Sequence, residues 1–154
     1  WCLIGMIWLL RHGDAQDGTP DSERPLTDKG RGQSRSAGAA LSALRVEIDA
    51  CLTSPKVRAV DTARIACEQL GGPEPQEEPR LAGGDFDPEE LAAGLGENVL
   101  LVGHEPDFSN AVRSLTGARV DLKKGGLAAV RDGELTATLG AQRILDAFGP
   151  PRGG

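Results

Sequence analysis

A chain of 154 residues that is 39% hydrophobic and 26% charged has the size and balance of one globular domain. Its formal net charge of -6 argues against a dominant nucleic-acid role, which needs a basic footprint, and two Trp, three Phe and no Tyr leave little for base stacking. Three cysteines, Cys2, Cys51 and Cys67, show neither metal-ligand spacing nor a pairing framework; they fit a reducing, cytoplasmic compartment, with Cys51 and Cys67 as small core residues.

The first ten residues are apolar but lack a basic leader and a cleavage site, and they are too short to span a bilayer. They read as a buried strand over about 6–10, with 1–5 as an extension ahead of Met6. A polar loop from Asp14 to Pro25 leads to a helix over about Asp28–Leu44, with Thr27 as its N-cap. A second strand covers Ile48–Thr53. Ser54-Pro55 then opens a helix, Ser as N-cap and Pro at the first helical position, that ends near Gly71-Gly72. The segment from Gly72 to Asp87 reads as loop with a short strand near Pro79–Leu81, and Asp87-Pro88-Glu89-Glu90 starts a short helix. A strand over 98–102, a helix over Asp107–Thr116 and a hairpin turning at Asp132-Gly133 follow. A last short helix precedes a frayed tail at 149–154. Strands alternating with helices predict an α/β fold, a single three-layer domain over 1–154. Its central sheet is mostly parallel, with helices on both faces and an antiparallel edge hairpin.

The chain has two histidines, His12 and His104, and each follows an apolar strand. In open α/β sheets ligands bind beyond the carboxyl ends of the strands, so both imidazoles stand where chemistry takes place. Arg11, directly before His12, makes the place attractive to an anion, and Gly13 lets the backbone approach a ligand closely. A neutral imidazole is a good nucleophile, and phosphorus a natural electrophile for it. Arg58 falls in the first turn of the helix opened by Ser54-Pro55, where a guanidinium fork beside free backbone donors suits a phosphoryl group. The alternative for Arg58 is a surface arginine paired with Asp61 or Glu68. Lys123-Lys124-Gly125 reads as a solvated turn or as added positive field near the pocket. Asp14, Asp17 and Asp21 lack the Gly and terminal Glu of a calcium loop, and histidines set among arginines oppose a bound cation. The sequence therefore predicts no metal and no cofactor.

Arg11-His12-Gly13, the string Arg24-Pro25-Leu26-Thr27-Asp28-Lys29-Gly30, Ser54-Pro55 with Arg58 and Thr62-Ala63, and Gly103-His104 resemble the histidine phosphatase superfamily in order and spacing. The resemblance runs from Met6 to Val130 and is nearest to the short branch of SixA-type phosphohistidine phosphatases. It implies a phosphoglycerate-mutase-like fold without lid insertions. It implies His12 as a nucleophile that becomes transiently phosphorylated, with Arg11, Arg58 and His104 holding the phosphoryl oxygens. Arg24 is then a secondary phosphate or substrate contact, or else a loop anchor paired with Asp21 or Glu23. The family's general acid has two candidates, Asp85 and Glu105. Asp85 is otherwise a turn residue, and Glu105 otherwise caps the helix behind it.

Only 46 positions separate Arg58 from His104, which leaves no room for a helical lid and favours a protein substrate over a sugar phosphate. The expectation is a metal-independent phosphatase acting through a covalent phosphohistidine. Its substrate would be a phosphohistidine-bearing protein, such as a phosphorelay or phosphotransfer component, with neither nucleic acid nor membrane as a partner. The alternatives are a phosphomonoesterase for a small ester and a non-catalytic phosphoprotein-binding module.

Overall fold

The computed structural model describes residues 5–140. Two apolar runs dominate it. Strands β1 (Met6–Arg11) and β4 (Asn98–Gly103) pair in parallel at the centre of one six-stranded sheet and are buried on both faces, as near-continuous apolar strands of a parallel sheet must be. The flanking strands are β2 (Ala50–Thr53), β3 (Gln76–Glu77), β5 (Leu127–Arg131) and β6 (Glu134–Leu139), in the order β3-β2-β4-β1-β5-β6. The first four strands in chain order are parallel; β5 and β6 run antiparallel and close one edge. The hairpin between them turns at Asp132 (φ 51°) and Gly133 (φ 73°), the paired positive φ values that a two-residue turn between right-twisted strands requires.

Side-chain alternation along the central strands divides the core. Trp8 and Leu10 of β1 with Leu100 and Val102 of β4 meet α1 (Asp28–Ala43) and α2 (Val57–Leu70) through Ala37, Ala40, Leu41, Ala59, Ala63 and Ala66. Ile7, Leu9, Val99 and Leu101 point the other way, onto Leu91 of α3 (Pro88–Ala92) and Phe108, Ala111 and Val112 of α4 (Asp107–Thr116). The result is the three-layer α/β domain that the alternation of elements predicts. Cys51 and Cys67 are free thiols buried in the first of these clusters. No described helix is long and apolar enough to cross a membrane.

Thr27 caps α1 as expected, its Oγ1 accepting from the Gly30 N–H at 3.0 Å. Two other expectations need correction. Ser54 does not cap α2: its N–H still pairs with the Val102 carbonyl (2.9 Å), extending the ladder, and the helix starts only at Val57 with Lys56 as its cap. Residues Pro79–Leu81 form a 3-10 turn rather than a strand, because Pro79 has no N–H to pair and the Glu78 carboxylate captures the Arg80 N–H. The short strand is Gln76–Glu77, alongside Leu52 and Thr53. The last short helix and the tail expected at 149–154 lie outside the described residues.

The loop leaving β1 presses against the first turn of α1 at two glycines. A Cβ on Gly30 would sit 2.0 Å from the Asp14 carbonyl oxygen, and one on Gly13 would sit 2.5 Å from the Gly30 carbonyl oxygen. Alanine normally outranks glycine in a helix by about 1 kcal/mol, but here backbone blocks it. Gly30→Ala is expected to lower stability by about 1–3 kcal/mol, the range for overpacking. Gly32→Ala, on the same helix with nothing within 4 Å of its Cβ, is expected to raise it. Urea unfolding midpoints of the two variants, read against the parent, check the opposite signs.

Candidate active site

Because Arg11 stands opposite Gly103 in the β1–β4 register, His12 and His104 leave adjacent strand ends side by side. The His12 N–H donates to the Gly103 carbonyl at 3.0 Å, and the two rings lie 5.1 Å apart, centroid to centroid. Both are buried, 8% and 6% exposed. His12 Nδ1 is 2.7 Å from the Gly13 carbonyl oxygen. A carbonyl only accepts, so Nδ1 carries the proton and Nε2 keeps the lone pair. Gly13 is itself held from α2 through its N–H. Thr62 Oγ1 accepts the Gly13 N–H at 3.0 Å and donates to the Arg58 carbonyl at 2.7 Å.

Arg58 projects from the first turn of α2 and is 6% exposed. Its partner is neither Asp61 nor Glu68. Nη1 donates to the Asp21 carbonyl at 2.8 Å and Nη2 to Asp21 Oδ2 at 3.1 Å, in the 3-10 turn Asp21–Glu23. Arg11 is tied by Nη1 to the Leu122 carbonyl at 2.9 Å. His104 Nε2 lies 2.8 Å from Ser54 Oγ, which also accepts the Lys56 N–H at 3.3 Å. Among the described residues, the buried side-chain polar atoms without a partner in the protein are Arg11 Nε, Arg58 Nε and His104 Nδ1. Buried polar groups are almost always paired, and these three exceptions fall on three of the four predicted pocket residues.

Burial, only partly offset by the Gly13 carbonyl bond and reinforced by the charges of Arg58, Arg11 and Lys124, lowers the His12 pKa from 6.5 to about 4. Burial first, then His12, Arg58 and Lys56, lowers that of His104 to about 3, against an opposing pull from Asp21. Both rings are neutral near pH 7. No group of three or more His, Cys, Asp or Glu among the described residues is arranged to hold a metal ion.

The remaining predicted residues are engaged elsewhere or, like Gly13, in a different way. Gly13 makes its close approach to Gly30, not to an open pocket. Arg24 is turned into its own loop: Nε donates to the Gln16 carbonyl (2.7 Å) and Nη1 pairs with Asp21 Oδ1 (3.1 Å), the anchoring alternative, with Asp21 rather than Glu23. Asp85 is exposed and takes part in no hydrogen bond or ion pair among the described residues. Glu105 accepts the Ser109 N–H at 2.8 Å and the Ser109 hydroxyl, so its carboxylate is engaged by the first turn of α4, whose N-cap position is Pro106. Lys124 pairs with Asp14 at 3.0 Å and adds positive field at His12, whereas Lys123 pairs with Asp121. Thr62, Ser54 and Asp21 were not foreseen in these roles. For Thr62 the signal was its place four residues after Arg58, on the same helix face.

The depressed histidine pKa values have a definite pH consequence. Between pH 6.5 and about 4 the unfolded chain takes up protons that the folded rings refuse. The stability tied to keeping them neutral is therefore whole above 6.5 and is lost as pH falls through that window. Ring-proton NMR of the ligand-free protein is expected to give midpoints near 4 for His12 and near 3 for His104. Midpoints near 6.5 would mean that the rings are solvated.

Residues 7–91, more than half of the chain, match the model of the histidine phosphatase superfamily (branch 1). An uncharacterised protein of Picosynechococcus sp. is 34% identical over 140 residues, covering 82% of this chain and 85% of that protein. The phosphohistidine phosphatase SixA of Escherichia coli is 44% identical over 57 residues, covering 36% of this chain and 35% of SixA. A solved protein histidine phosphatase SixA complexed with tungstate superposes with a TM-score of 0.78 at 26% identity, over 90% of this chain and 99% of that one. Fold, site and sequence agree: the chain belongs to the histidine phosphatase superfamily (branch 1), with the SixA-like form of its fold, and the likeness supports a phosphatase.

Proposed function

We propose that this protein is a metal-independent phosphatase that removes phosphoryl groups from phosphohistidine on a partner protein. The observation that carries the reading is the His12 ring, buried and neutral, with its proton fixed on Nδ1 by the Gly13 carbonyl. In this reading Nε2 attacks phosphorus in line, a P–N bond to His12 forms, and the bond to the leaving imidazole breaks. Arg11, Arg58 and His104 donate to the phosphoryl oxygens, and their nitrogens without partners in the protein support that role. Water then cleaves the phosphoenzyme and releases phosphate. A leaving imidazole already protonated on its other nitrogen needs little help from a general acid. The reading therefore tolerates an Asp85 without partners and a Glu105 committed to Ser109. A phosphorelay or phosphotransfer component is the substrate class that fits, in the cytoplasm, where free thiols such as Cys51 and Cys67 persist.

The test is phosphate release from a phosphohistidine-bearing phosphotransfer protein in the presence of chelator. His12→Ala is expected to lose roughly 10³-fold or more in rate, as removal of a nucleophile does, and an acid-labile label is expected on the parent alone. Release that survives in His12→Ala, or that chelator abolishes, overturns the mechanism. Turnover of para-nitrophenyl phosphate without any release from the phosphoprotein would replace the proposed substrate with an ester.

A further inference from the structure

Asp21 is the meeting point of three cations from two separate segments. Oδ2 receives Arg58 Nη2 at 3.1 Å and lies 3.5 Å from Lys56 Nζ, while Oδ1 receives Arg24 Nη1 at 3.1 Å. The Asp21 side chain is 56% exposed, whereas that of Arg58 is 8% exposed, so the carboxylate stands at the outer edge of a buried site residue. Hydrogen bonds from Arg24 and Arg58 hold its pKa far below the usual carboxylate range, and the charge is permanent. An exposed ion pair of this kind is worth little as stability. Its effect is on what else can bind there. Without the carboxylate, Lys56, Arg24 and the outer edge of Arg58 would form an anion site one guanidinium away from the phosphoryl pocket.

We propose that Asp21 fills a second anion subsite beside the phosphoryl pocket, so that the site rejects phosphate esters carrying another anionic group and accepts a phosphoryl group on an uncharged carrier. The inference rests on the reading of Arg58 as a phosphoryl ligand given above. It makes specificity a matter of built-in repulsion, supplied by one residue of the β1–α1 loop. A phosphorylated imidazole meets the requirement; a phosphorylated hydroxy acid, with its carboxylate, does not.

Two probes separate the effects: 3-phosphoglycerate and glycerol 3-phosphate, which differ by a carboxylate in place of a hydroxymethyl group. Their dissociation constants would be read from the His12 ring signals of the intact chain, with inorganic phosphate as the control for the pocket itself. The parent is expected to prefer glycerol 3-phosphate. In Asp21→Asn the ratio of the two constants is expected to move roughly fivefold or more toward 3-phosphoglycerate, the scale of a removed like charge. Adding Lys56→Ala should cut the move back, and Asp21→Ser should reproduce the Asn result. An unchanged ratio, or equal changes for both probes, overturns the proposal and leaves Asp21 as a mere holder of Arg58. If inorganic phosphate fails to perturb His12 in the parent, the phosphoryl pocket itself is refuted and this inference falls with it. Phosphate binding retained in the variants shows that they are folded.

Discussion

The pairing of β1 with β4 is the constraint on which the rest of the structure depends. The sheet order inserts β4 between β1 and β2, so two strands about ninety residues apart end together, Arg11 opposite Gly103. A slip of one residue would turn every side chain of β1 to the other face. The core forbids that slip on both faces at once, since Ile7 and Leu9 fill one cluster while Trp8 and Leu10 fill the other. Hydrophobic burial thus fixes a polar geometry, the 5.1 Å approach of the two histidines. Neither ring would be held there by its own hydrogen bonds alone.

A site built this way inherits the dielectric of the core. Two imidazoles stand behind adjacent strand ends, and the charges of Arg11 and Arg58 add to burial in keeping His12 unprotonated, as that of Arg58 does for His104. The same charges would be costly together unless something offset them. Asp21 does so at Arg58 and Asp14 at Lys124, both on the loop that leaves β1. An acidic chain with a net charge of -6 thereby keeps cationic side chains close to two neutral imidazoles.

What the sequence disclosed divides along the range of the interactions involved. Local signals were legible: the apolar runs of β1 and β4, the Thr27 cap, the Asp132-Gly133 turn, and the position of both histidines behind strands. Contacts between distant segments were not. Ser54 has every local mark of an N-cap, yet its N–H bonds to the Val102 carbonyl just beyond the end of β2 and its hydroxyl turns to His104. Arg58 has an acidic neighbour, Asp61, one helical turn away but reaches 37 residues back to Asp21. Gly13 reads as room for a ligand, and its space is taken by the backbone of Gly30. In each case the deciding partner is set by topology, which no local pattern encodes.

That last contact joins stability to chemistry. The Gly13 carbonyl sets the tautomer of His12, and its position is fixed from two sides: Gly30 packs against the glycine, and Thr62 binds its N–H while donating to the Arg58 carbonyl. The first turn of α1, the second turn of α2 and the chain leaving β1 therefore meet at a single residue, Gly13. A displacement of either helix would shift that carbonyl, and a carbonyl moved out of reach would free Nδ1 to lose its proton to Nε2. The lone pair would then face the wrong way for attack. Small residues at Gly13 and Gly30 serve the nucleophile without touching it, by letting two backbones come close enough for one of them to hold a proton in place.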